Sequence, residues 1–354
     1  MQTSYAHAEN VPAISTKESE FYEKALPDFI WPAAEKLYHS IFCSEAHLRL
    51  HGGIERNTCA WVSRKNGKII ALLLYTRING VVKVINEVIK ITDDDLSVFS
   101  IAIFKRYKNI SALIFHAVQL ERQIVKKISY PSQCIKFSED FILQLPDSEK
   151  KWLENLSKQT REKIRYHTRR SQRKQADLIF KHAMGSQICN ADVSAIIEMN
   201  RARMKIKGRK FGIDSVEENN LKALMRERGL VTMMYAEGKL CAGLLSTVCD
   251  KDVFMHVIAH NPAYDDLRLG FLCCCQTIQL CIANGMQRFH FLWGEYDYKT
   301  RLGGQRQELV DLVIYKSLWH TILHPKLVGK IWLGSLRQIY RNWRKKNQGV
   351  QHVR

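Results

Sequence analysis

One stretch of the sequence, residues 253–304, has the residue types and the order of elements needed to bind a phosphate group. It is predicted to form a strand, a loop, a helix that starts near Gly270, and a second strand. The first N–H groups of a helix lack backbone partners, and the helix dipole also favours an anion there. The predicted pyrophosphate-binding residues are Arg268, Leu269, Gly270 and Phe271. A glycine that serves only close packing at the turn is the alternative interpretation.

The elements that would position this stretch are clearest in the second half of the chain. Hydrophobic periodicity and turn residues predict helices over 192–207, 215–228 and 270–284, and strands over 177–181, 230–236, 240–250, 253–260, 288–293 and 308–315. The three strands between residues 230 and 260 are expected to be antiparallel, because short turns connect them. The helix over 270–284 would join two strands and hold the phosphate-binding turn between them.

The first half of the chain has a mixed pattern of helices and strands. A helix is predicted over 31–42, a hairpin over 60–76 with its turn at Lys65-Asn66-Gly67, and strands over 81–91 and 111–118. No sequence repeat is visible. The two halves nevertheless have a similar order of elements, which is compatible with a structural duplication.

Length and composition indicate a folded protein with two domains. The chain has 354 residues, of which 46% are hydrophobic and 25% charged, as in an average folded protein. This composition excludes a disordered tail protein, a collagen-like fibre and a polytopic membrane protein. The predicted division is a flexible N-terminus (1–20), an N-terminal domain (21–146), a basic connecting helix (147–176), a C-terminal domain (177–315) and a basic amphipathic tail (316–354).

The cysteines and the N-terminus indicate a reducing compartment. Three of the ten cysteines are consecutive at 273–275, where neighbouring side chains of a helix point in different directions and do not easily form a disulfide. The N-terminal residues lack the apolar stretch of a secretion signal, and the sequence contains no CxxC pair. We therefore expect a cytoplasmic protein with reduced, mostly buried cysteines, no metal site and no transmembrane helix.

Positive charge is concentrated in two segments. The formal net charge is +19, and residues 150–174 contain ten Lys or Arg and two acids, a net charge of +8. Residues 312–354 contain nine Lys or Arg and no acid, so together these segments carry 17 of the 19 excess charges. The first segment is predicted to be one long helix that starts at Asp147-Ser148-Glu149. It is interpreted either as a solvated connector or as a contact surface for phosphate or nucleic acid.

The second basic segment has an amphipathic pattern. Over 330–354, aromatic and apolar residues recur at helical spacing and Lys and Arg residues interleave with them. Such a helix suits the headgroup layer of an anionic membrane. An ordinary C-terminal helix docked on its own domain is the alternative. Membrane contact would make the protein peripheral on the inner face of the plasma membrane.

The stretch from about 153 to 315 resembles acetyltransferase-like proteins of the GNAT superfamily, in the CelD-like branch linked to cellulose and other surface-polysaccharide biosynthesis. The matching segments are Asn261-Pro262-Ala263-Tyr264, Leu269-Gly270-Phe271, Phe289-His290-Phe291, Gly294-Glu295, Tyr298-Lys299 and the basic sequence around Arg161 and Arg165. The resemblance implies an α+β fold of tandem GNAT-like domains, with mixed, mostly antiparallel sheets flanked by helices. It also implies acetyl-CoA or another acyl-CoA as the donor. FemAB-type aminoacyl transferases share the duplicated plan and use aminoacyl-tRNA.

Two residues depart from the family pattern. The family usually has an aspartate at the position of His290, and often an acid at the position of Asn261. The family's chemistry would then be altered in this chain, performed by His290, or lost.

The acyl transfer implied by the resemblance needs a base, stabilisation of an oxyanion and an acid for the leaving thiolate. His290 and Glu295 are the predicted bases, Tyr298 the predicted acid, and Lys299 the predicted ligand for a phosphate or an acidic acceptor. Each side chain also has a structural alternative. His290 would be a buried, hydrogen-bonded residue, Tyr298 a packing residue, and Glu295 and Lys299 a surface ion pair.

Three functional hypotheses follow. The preferred one is a GNAT-like acyltransferase that moves an acyl group, such as acetyl, from acyl-CoA to an amine or hydroxyl of a cell-envelope or polysaccharide precursor. The second is a FemAB-type transferase whose basic helix contacts tRNA. The third is a non-catalytic adaptor that keeps the fold and binds membrane or nucleic acid.

Overall fold

The computed structural model describes residues 17–323, except 52, 55–56, 122–127 and 176. The strands of its N-terminal half are β1 (Lys17–Tyr22), β2 (Cys59–Lys65), β3 (Lys68–Ile78), β4 (Val81–Val84), β5 (Lys90–Ile91), β6 (Ala112–Leu120) and β7 (Ser132–Gln144). The helices of this half are α1 (Ile30–Tyr38), α2 (Glu45–Leu50) and α3 (Asp93–Arg106). The strands of the C-terminal half are β8 (Ile179–Met184), β9 (Gly229–Ala236), β10 (Lys239–Cys249), β11 (Asp252–His260), β12 (Arg288–His290) and β13 (Gln305–Tyr315). Its helices are α4 (Glu149–Asn155), α5 (Lys158–Lys174), α6 (Asn190–Ile206), α7 (Ser215–Arg228), α8 (Leu269–Ala283), α9 (Asp297–Arg301) and α10 (Leu318–Leu323).

The strands of both halves join into one sheet. Their order is β1-β2-β3-β4-β6-β13-β7-β12-β11-β10-β9-β8, and the short β5 pairs with β6. Strand β13, the last one in the described part of the chain, lies between β6 and β7, and β7 in turn pairs with β12. The two halves are therefore joined by hydrogen-bonded strands and not only by the chain that connects them.

Each half repeats the same arrangement. An antiparallel three-stranded meander leads into a helix, and the helix leads into a strand parallel to the last strand of the meander. These elements are β2-β3-β4, α3 and β6 in the N-terminal half, and β9-β10-β11, α8 and β12 in the C-terminal half. This repetition confirms the predicted α+β class, the mostly antiparallel sheet and the structural duplication.

Helices cover both faces of the C-terminal part of the sheet. On one face, α8 packs with α4 and α5 over side chains that include Val253 and Met255 of β11. On the other face, α6 and α7 pack over side chains that include Val257 and Ala259 of the same strand. These two helical layers set the two sides from which a ligand can reach β11.

The prediction of one long basic helix is wrong in one respect, because the structure divides this segment into two helices, α4 and α5. The backbone of Leu156 and Ser157 is extended, and the Ser157 side chain accepts a hydrogen bond from the amide of Thr160. A serine in this position caps a new helix. The basic residues therefore lie on two helices, most of them on α5.

In the N-terminal half, the hairpin at 60–76 and the strand at 111–118 are confirmed by β2, β3 and β6. The predicted strand at 81–91 is interrupted, because Val88 has φ of 54° and donates its amide hydrogen to the Ala117 carbonyl. The sequence reading missed α3 and β7. The α3 helix has a recognisable signal, since Thr92 accepts a hydrogen bond from the Asp95 amide at its start.

The predictions for the two ends of the chain, the cysteines and membrane-spanning helices can also be compared with the structure. Residues 17–20, predicted to be flexible, belong to β1, whereas residues 1–16 and the predicted tail from 324 onward lie outside the described residues. The ten cysteines carry free thiols and eight of them are buried, which confirms the prediction of mostly buried cysteines. Within the described ranges, no helix has the length and apolar character needed to cross a membrane.

Candidate active site

A cleft opens where the parallel strands β11 and β12 separate. The two strands pair only through 252–254 and 288–290 in the described part of the chain. Beyond these pairs lies a cavity of about 320 Å³, lined on one side by 255–258 and on the other by 291–293. Tyr296, Tyr298 and Lys299 continue the second wall, and α6 and α7 supply further lining residues. The cleft is therefore open to the α6 and α7 face of the sheet.

The β11 wall contains a bulge. His256 is an extra residue in this strand, because its neighbours Met255 and Val257 pair with two consecutive residues of β10. A bulge leaves the backbone of the extra residue out of the ladder and bends the strand. His256 is half-buried, its Nε2 lies 2.8 Å from Thr247 Oγ1, and desolvation lowers its pKa to about 4. Neutral His256 and the unpaired backbone at the bulge thus form part of the cleft wall.

Lys299 organises the opposite wall. Its Nζ donates hydrogen bonds to the carbonyls of Phe291 at 3.0 Å, Leu292 at 2.8 Å and Trp293 at 2.7 Å. Leu292 has φ of 51°, a strained conformation for a residue with a Cβ atom. The predicted strand over 288–293 therefore ends at His290, because the next three peptide groups turn their carbonyls towards one ammonium group.

This position overturns the expected roles of Lys299. The side chain is 1% exposed, and burial lowers its pKa to about 8. An ammonium group has three hydrogens to donate, and the three carbonyls already accept them. Lys299 is therefore neither a ligand for a phosphate or acidic acceptor nor one half of a surface ion pair with Glu295.

Tyr298, the neighbour of Lys299, lines the cleft and is half-buried. No hydrogen bond joins its hydroxyl group to another side chain or carbonyl in the described ranges, so the group is available to a ligand in the cleft. Burial raises the pKa of Tyr298 well above its usual value. The phenol therefore stays protonated at neutral pH and can donate a hydrogen bond or a proton.

His290 does not line the cleft. Its side chain is buried at the closed end, where Nδ1 lies 2.7 Å from Asp140 Oδ2 of β7 and the ring stacks on Phe254 at 4.3 Å. Burial opposes protonation, but the hydrogen bond with Asp140 and the Asp252 carboxylate, whose Oδ2 lies 3.7 Å from Nε2, prevail and raise the pKa of His290. This environment fits the alternative interpretation of His290 as a buried structural residue, because its ring connects β12 to β7 and β11.

Glu295 is also away from the cleft lining. It is exposed on the loop between Trp293 and Tyr296, two residues that do line the cleft. The structure therefore brings Tyr298 and Lys299 to the cleft and leaves His290 and Glu295 outside it.

The residues predicted to hold a pyrophosphate start α8, which packs on the other face of the sheet. Arg268 is exposed with φ of 56°, and no side chain caps the helix. Leu269 and Gly270 are buried and Phe271 is half-buried. A Cβ atom on Gly270 would lie 2.8 Å from Nδ1 of His260, so close packing does require this glycine. The turn thus combines a close packing contact with an uncapped helix start.

Asn261, the second departure from the family pattern, has a local structural role. Its side chain accepts a hydrogen bond from the amide of Ala263 at 3.0 Å and caps the short 3₁₀ helix that precedes α8. Nearby, Nε2 of His260 lies 2.6 Å from Asp265 Oδ1. These contacts fix the loop that leads to Arg268.

Sequence reasoning missed the polar residues that line the cleft from α6, the loop after it and α7. They are Asn200, Arg203, Lys207, Arg209 and Glu217. A signal was present, because 201–210 contains six Lys or Arg and no acid. This cluster does not stand out in the sequence, because the net charge of all residues outside the two basic segments is close to zero. The described residues contain no group of His, Cys, Asp and Glu side chains arranged to hold a metal ion.

Comparisons with known proteins agree with this architecture. Residues 158–300 match the family model of the acetyltransferase (GNAT) domain. The crystal structure of FemX superposes with a TM-score of 0.64 and 10% sequence identity, over 87% of this chain and 99% of FemX. The structure of L-PGS from Bacillus licheniformis superposes with a TM-score of 0.52 and 12% identity, over 88% of this chain and 98% of L-PGS. No curated protein matches this chain in sequence. The protein has a duplicated GNAT-like fold, and residues 158–300 of its C-terminal half match the acetyltransferase (GNAT) domain.

Proposed function

We propose that this protein is an acyltransferase that moves an acyl group, in the first instance acetyl, from acyl-CoA to an amine or hydroxyl of a cell-envelope or polysaccharide precursor, as the resemblance to the CelD-like branch implies. One observation carries the proposal. The cleft between β11 and β12 lies within the stretch that matches the acetyltransferase domain, and Tyr298 is one of the residues that line it.

The cleft contains groups for each step of acyl transfer. In the proposed reaction the acceptor nitrogen or oxygen attacks the thioester carbonyl carbon, and amides near the His256 bulge would stabilise the resulting oxyanion. Collapse of the tetrahedral intermediate breaks the C–S bond, and the departing thiolate takes the proton of Tyr298. The acceptor's proton passes to a base, and the tyrosinate is reprotonated from solvent.

Glu217 is the better candidate for the base. It is the carboxylate among the described residues that line the cleft, and its Oε1 lies 3.4 Å from Nε2 of His51. The two predicted bases, His290 and Glu295, do not reach the cavity. We therefore assign proton removal to Glu217, directly or through one water molecule.

The donor would approach from the α8 face. The uncapped start of α8 offers backbone amides to the pyrophosphate of acyl-CoA, and exposed Arg268 adds a cation. The chain of the cofactor would then run between the separating ends of β11 and β12, which brings the thioester to Tyr298.

An aminoacyl-tRNA-dependent transferase of the FemAB type is the second candidate. FemX superposes along almost the whole chain, and α5 exposes a row of cations. The exposed residues are Lys158, Arg165, Arg169, Arg173 and Lys174. Such a helix fits the phosphate backbone of a nucleic acid.

Contact with an anionic membrane is the proposal for localisation. On α10, at the start of the predicted basic tail (316–354), Leu318, Trp319 and Ile322 are 72%, 77% and 67% exposed. Exposed aromatic and apolar side chains next to cations are typical of membrane-surface helices. Removal of residues 330–354 together with a Trp319→Ser substitution should abolish sedimentation with anionic vesicles. Equal sedimentation of the parent and the variant would refute the proposed membrane contact.

Calorimetric titration with acetyl-CoA tests the proposed donor. Gly270 is unsuitable as a probe, because any side chain there collides with His260. Arg268→Glu places a negative charge at the proposed pyrophosphate position on an exposed residue, and Lys65→Glu, at an exposed hairpin end, is the matched charge control. We expect binding by the parent and the control and loss in the Arg268 variant. No binding by the folded parent, with turnover that requires aminoacyl-tRNA, would select the second candidate.

A further inference from the structure

A segment of the N-terminal half packs against both walls of the cleft. This segment, residues 41–51, includes the helix α2. The centroid of the Phe42 ring lies 5.6 Å from that of Trp293 on one wall and 6.4 Å from that of His256 on the other wall. The cleft therefore has a boundary that the C-terminal half does not supply.

His51, at the end of this segment, contacts the proposed base. Its Nε2 lies 3.4 Å from Oε1 of Glu217, and both residues are half-buried. The backbone of Glu217 is fixed separately, because its amide donates a hydrogen bond to the Asp214 side chain, 2.9 Å away, at the start of α7. In the described part of the chain, His51 is thus the residue that holds the carboxylate end of Glu217.

The other nitrogen of His51 determines where the hydrogens are. Nδ1 lies 2.9 Å from the His47 carbonyl oxygen, which can only accept, so Nδ1 carries a hydrogen. In a neutral ring Nε2 would then present a lone pair to the Glu217 carboxylate. The contact therefore requires one hydrogen between Nε2 and Oε1. The hydrogen bond with Glu217 raises the pKa of His51, although burial opposes this, so the hydrogen belongs to Nε2 of an imidazolium.

The groups around His51 do not compete for this proton. The His47 ring stacks on that of His51 at 4.1 Å, and burial lowers the pKa of His47 to about 3. His256 of β11 is neutral as well, with a pKa of about 4. Glu87, on the loop between β4 and β5, also attracts the proton of His51, although burial raises the pKa of Glu87 itself. Among the described residues, Glu217 is the acid that forms an ion pair with His51.

We propose that His51 is a positioning residue for the reaction, because its Nε2–H occupies Oε1 of Glu217 and leaves Oε2 to take the acceptor's proton. This inference rests on the proposed function, in which Glu217 is the base. The acceptor's N–H or O–H bond breaks, its proton goes to Oε2, and its electron pair forms the bond to the thioester carbonyl carbon. His51 keeps its own proton throughout. The N-terminal half would thereby take part in the reaction by orienting the base.

NMR titration of the histidine rings in the full chain tests the pair without any turnover. The His51 signal is assigned as the one missing from the spectrum of His51→Gln. We expect His51 to bind its proton at least about threefold more tightly in the parent than in Glu217→Gln, because the variant lacks the opposite charge. Equal proton affinity in the two proteins would overturn the inference.

The rate of coenzyme A release from acetyl-CoA, with water as the acceptor, tests the effect on the reaction. His51→Leu removes the donor, and His51→Gln keeps a donor that does not titrate. The matched control is Arg49→Gln, which removes a second ion pair between α2 and α7, the 2.8 Å contact with Glu227. At pH 6 we expect the Leu variant to lose about 10–100-fold in kcat, and the Gln variant and the control to stay within about threefold of the parent. The KM for acetyl-CoA should be unchanged in each variant.

The pH profile separates positioning from a merely structural role. As the pH rises from 6 to 9 through the pKa of His51, Nε2 loses its hydrogen and no longer holds the carboxylate. The parent should therefore lose rate relative to His51→Gln. The inference would be overturned by equal profiles in these two proteins, by a Leu variant as fast as the parent, or by an equal loss in the Arg49 control. No release by the folded parent would refute the proposed function instead, and the NMR titration would still decide whether His51 and Glu217 form the pair.

Discussion

Replacement of Lys299 by methionine tests the account of the cleft wall. Methionine keeps an unbranched side chain of similar length but removes the ammonium group from three carbonyls. Three charge-assisted hydrogen bonds contribute roughly 5–9 kcal/mol in total. Against this, burial lowers the pKa of Lys299 from 10.5 to about 8, which corresponds to a penalty of roughly 3 kcal/mol that methionine does not carry. We therefore expect the variant to lose about 2–6 kcal/mol of unfolding free energy at neutral pH.

The pH dependence of this loss is a second, independent signature. The unfolded chain keeps the Lys299 proton up to about pH 10.5, whereas the folded protein releases it near pH 8. Between these values the unfolded state binds more protons, so this group makes stability rise with pH. This increase in unfolding free energy, up to roughly 3 kcal/mol, is absent in the methionine variant. The difference in unfolding free energy between the parent and the variant should therefore widen from pH 8 to pH 10.

Urea unfolding followed by tryptophan fluorescence at pH 7, 8.5 and 10 measures both effects. Lys65→Met, which removes an exposed lysine at a hairpin end, is the control and should stay within about 0.5 kcal/mol of the parent. A Lys299→Met protein within about 1 kcal/mol of the parent, with the same pH slope, would refute the assignment of Lys299 as the group that holds this wall.

Three further predictions follow from the same geometry. His290→Asn should cost about 1–3 kcal/mol, because it removes the partner of buried Asp140. Folding raises the pKa of His290, so the stabilisation that His290 provides is complete when the pH is below the pKa of the unfolded state. It is lost as the pH rises through the pKa of the folded state. Urea unfolding should therefore show a larger effect of the substitution at pH 5.5 than at pH 9. Tyr298→Phe should leave acetyl-CoA binding unchanged and lower the rate of coenzyme A release by about 10²–10⁴-fold, and a rate within threefold of the parent would exclude the phenol as the acid. Gly270→Ala should destabilise the parent by about 1–3 kcal/mol through contact with His260, yet stabilise a His260→Ala background by up to about 1 kcal/mol, and the same sign in both backgrounds would contradict the contact.

Elements with local signals could be predicted from the sequence, and contacts between distant strands could not. The turn at Glu237-Gly238 and the helix end near Gly285 each lie within a few residues of the elements they delimit, so β9, β10 and α8 were found close to their observed bounds. The contact between His290 and Asp140 joins residues 150 positions apart. It depends on β7 lying beside β12, and no local pattern specifies that neighbour.

The cleft residues were missed for a related reason. Arg203 and Lys207 are three and seven residues after Asn200 on one helix and its loop, which makes them look like an ordinary solvated face. Only the packing of α6 against β11 turns this face towards Tyr298. Total charge conceals such a cluster, because acids elsewhere in the chain cancel it in the sum.

The adjacent residues Tyr298 and Lys299 have different positions relative to the cleft. Both residues lie on α9, a single turn in which neighbours point about 100° apart. One side chain therefore faces the cleft while the next one reaches back to the carbonyls of 291–293. If Lys299 acts by holding the wall from which Tyr298 projects, Lys299→Met should lower turnover more than it weakens acetyl-CoA binding. In a Tyr298→Phe background the same change should have little further effect on turnover, because the group it positions is already gone. Fully multiplicative losses in the double variant would mean that Lys299 contributes to the reaction independently of Tyr298.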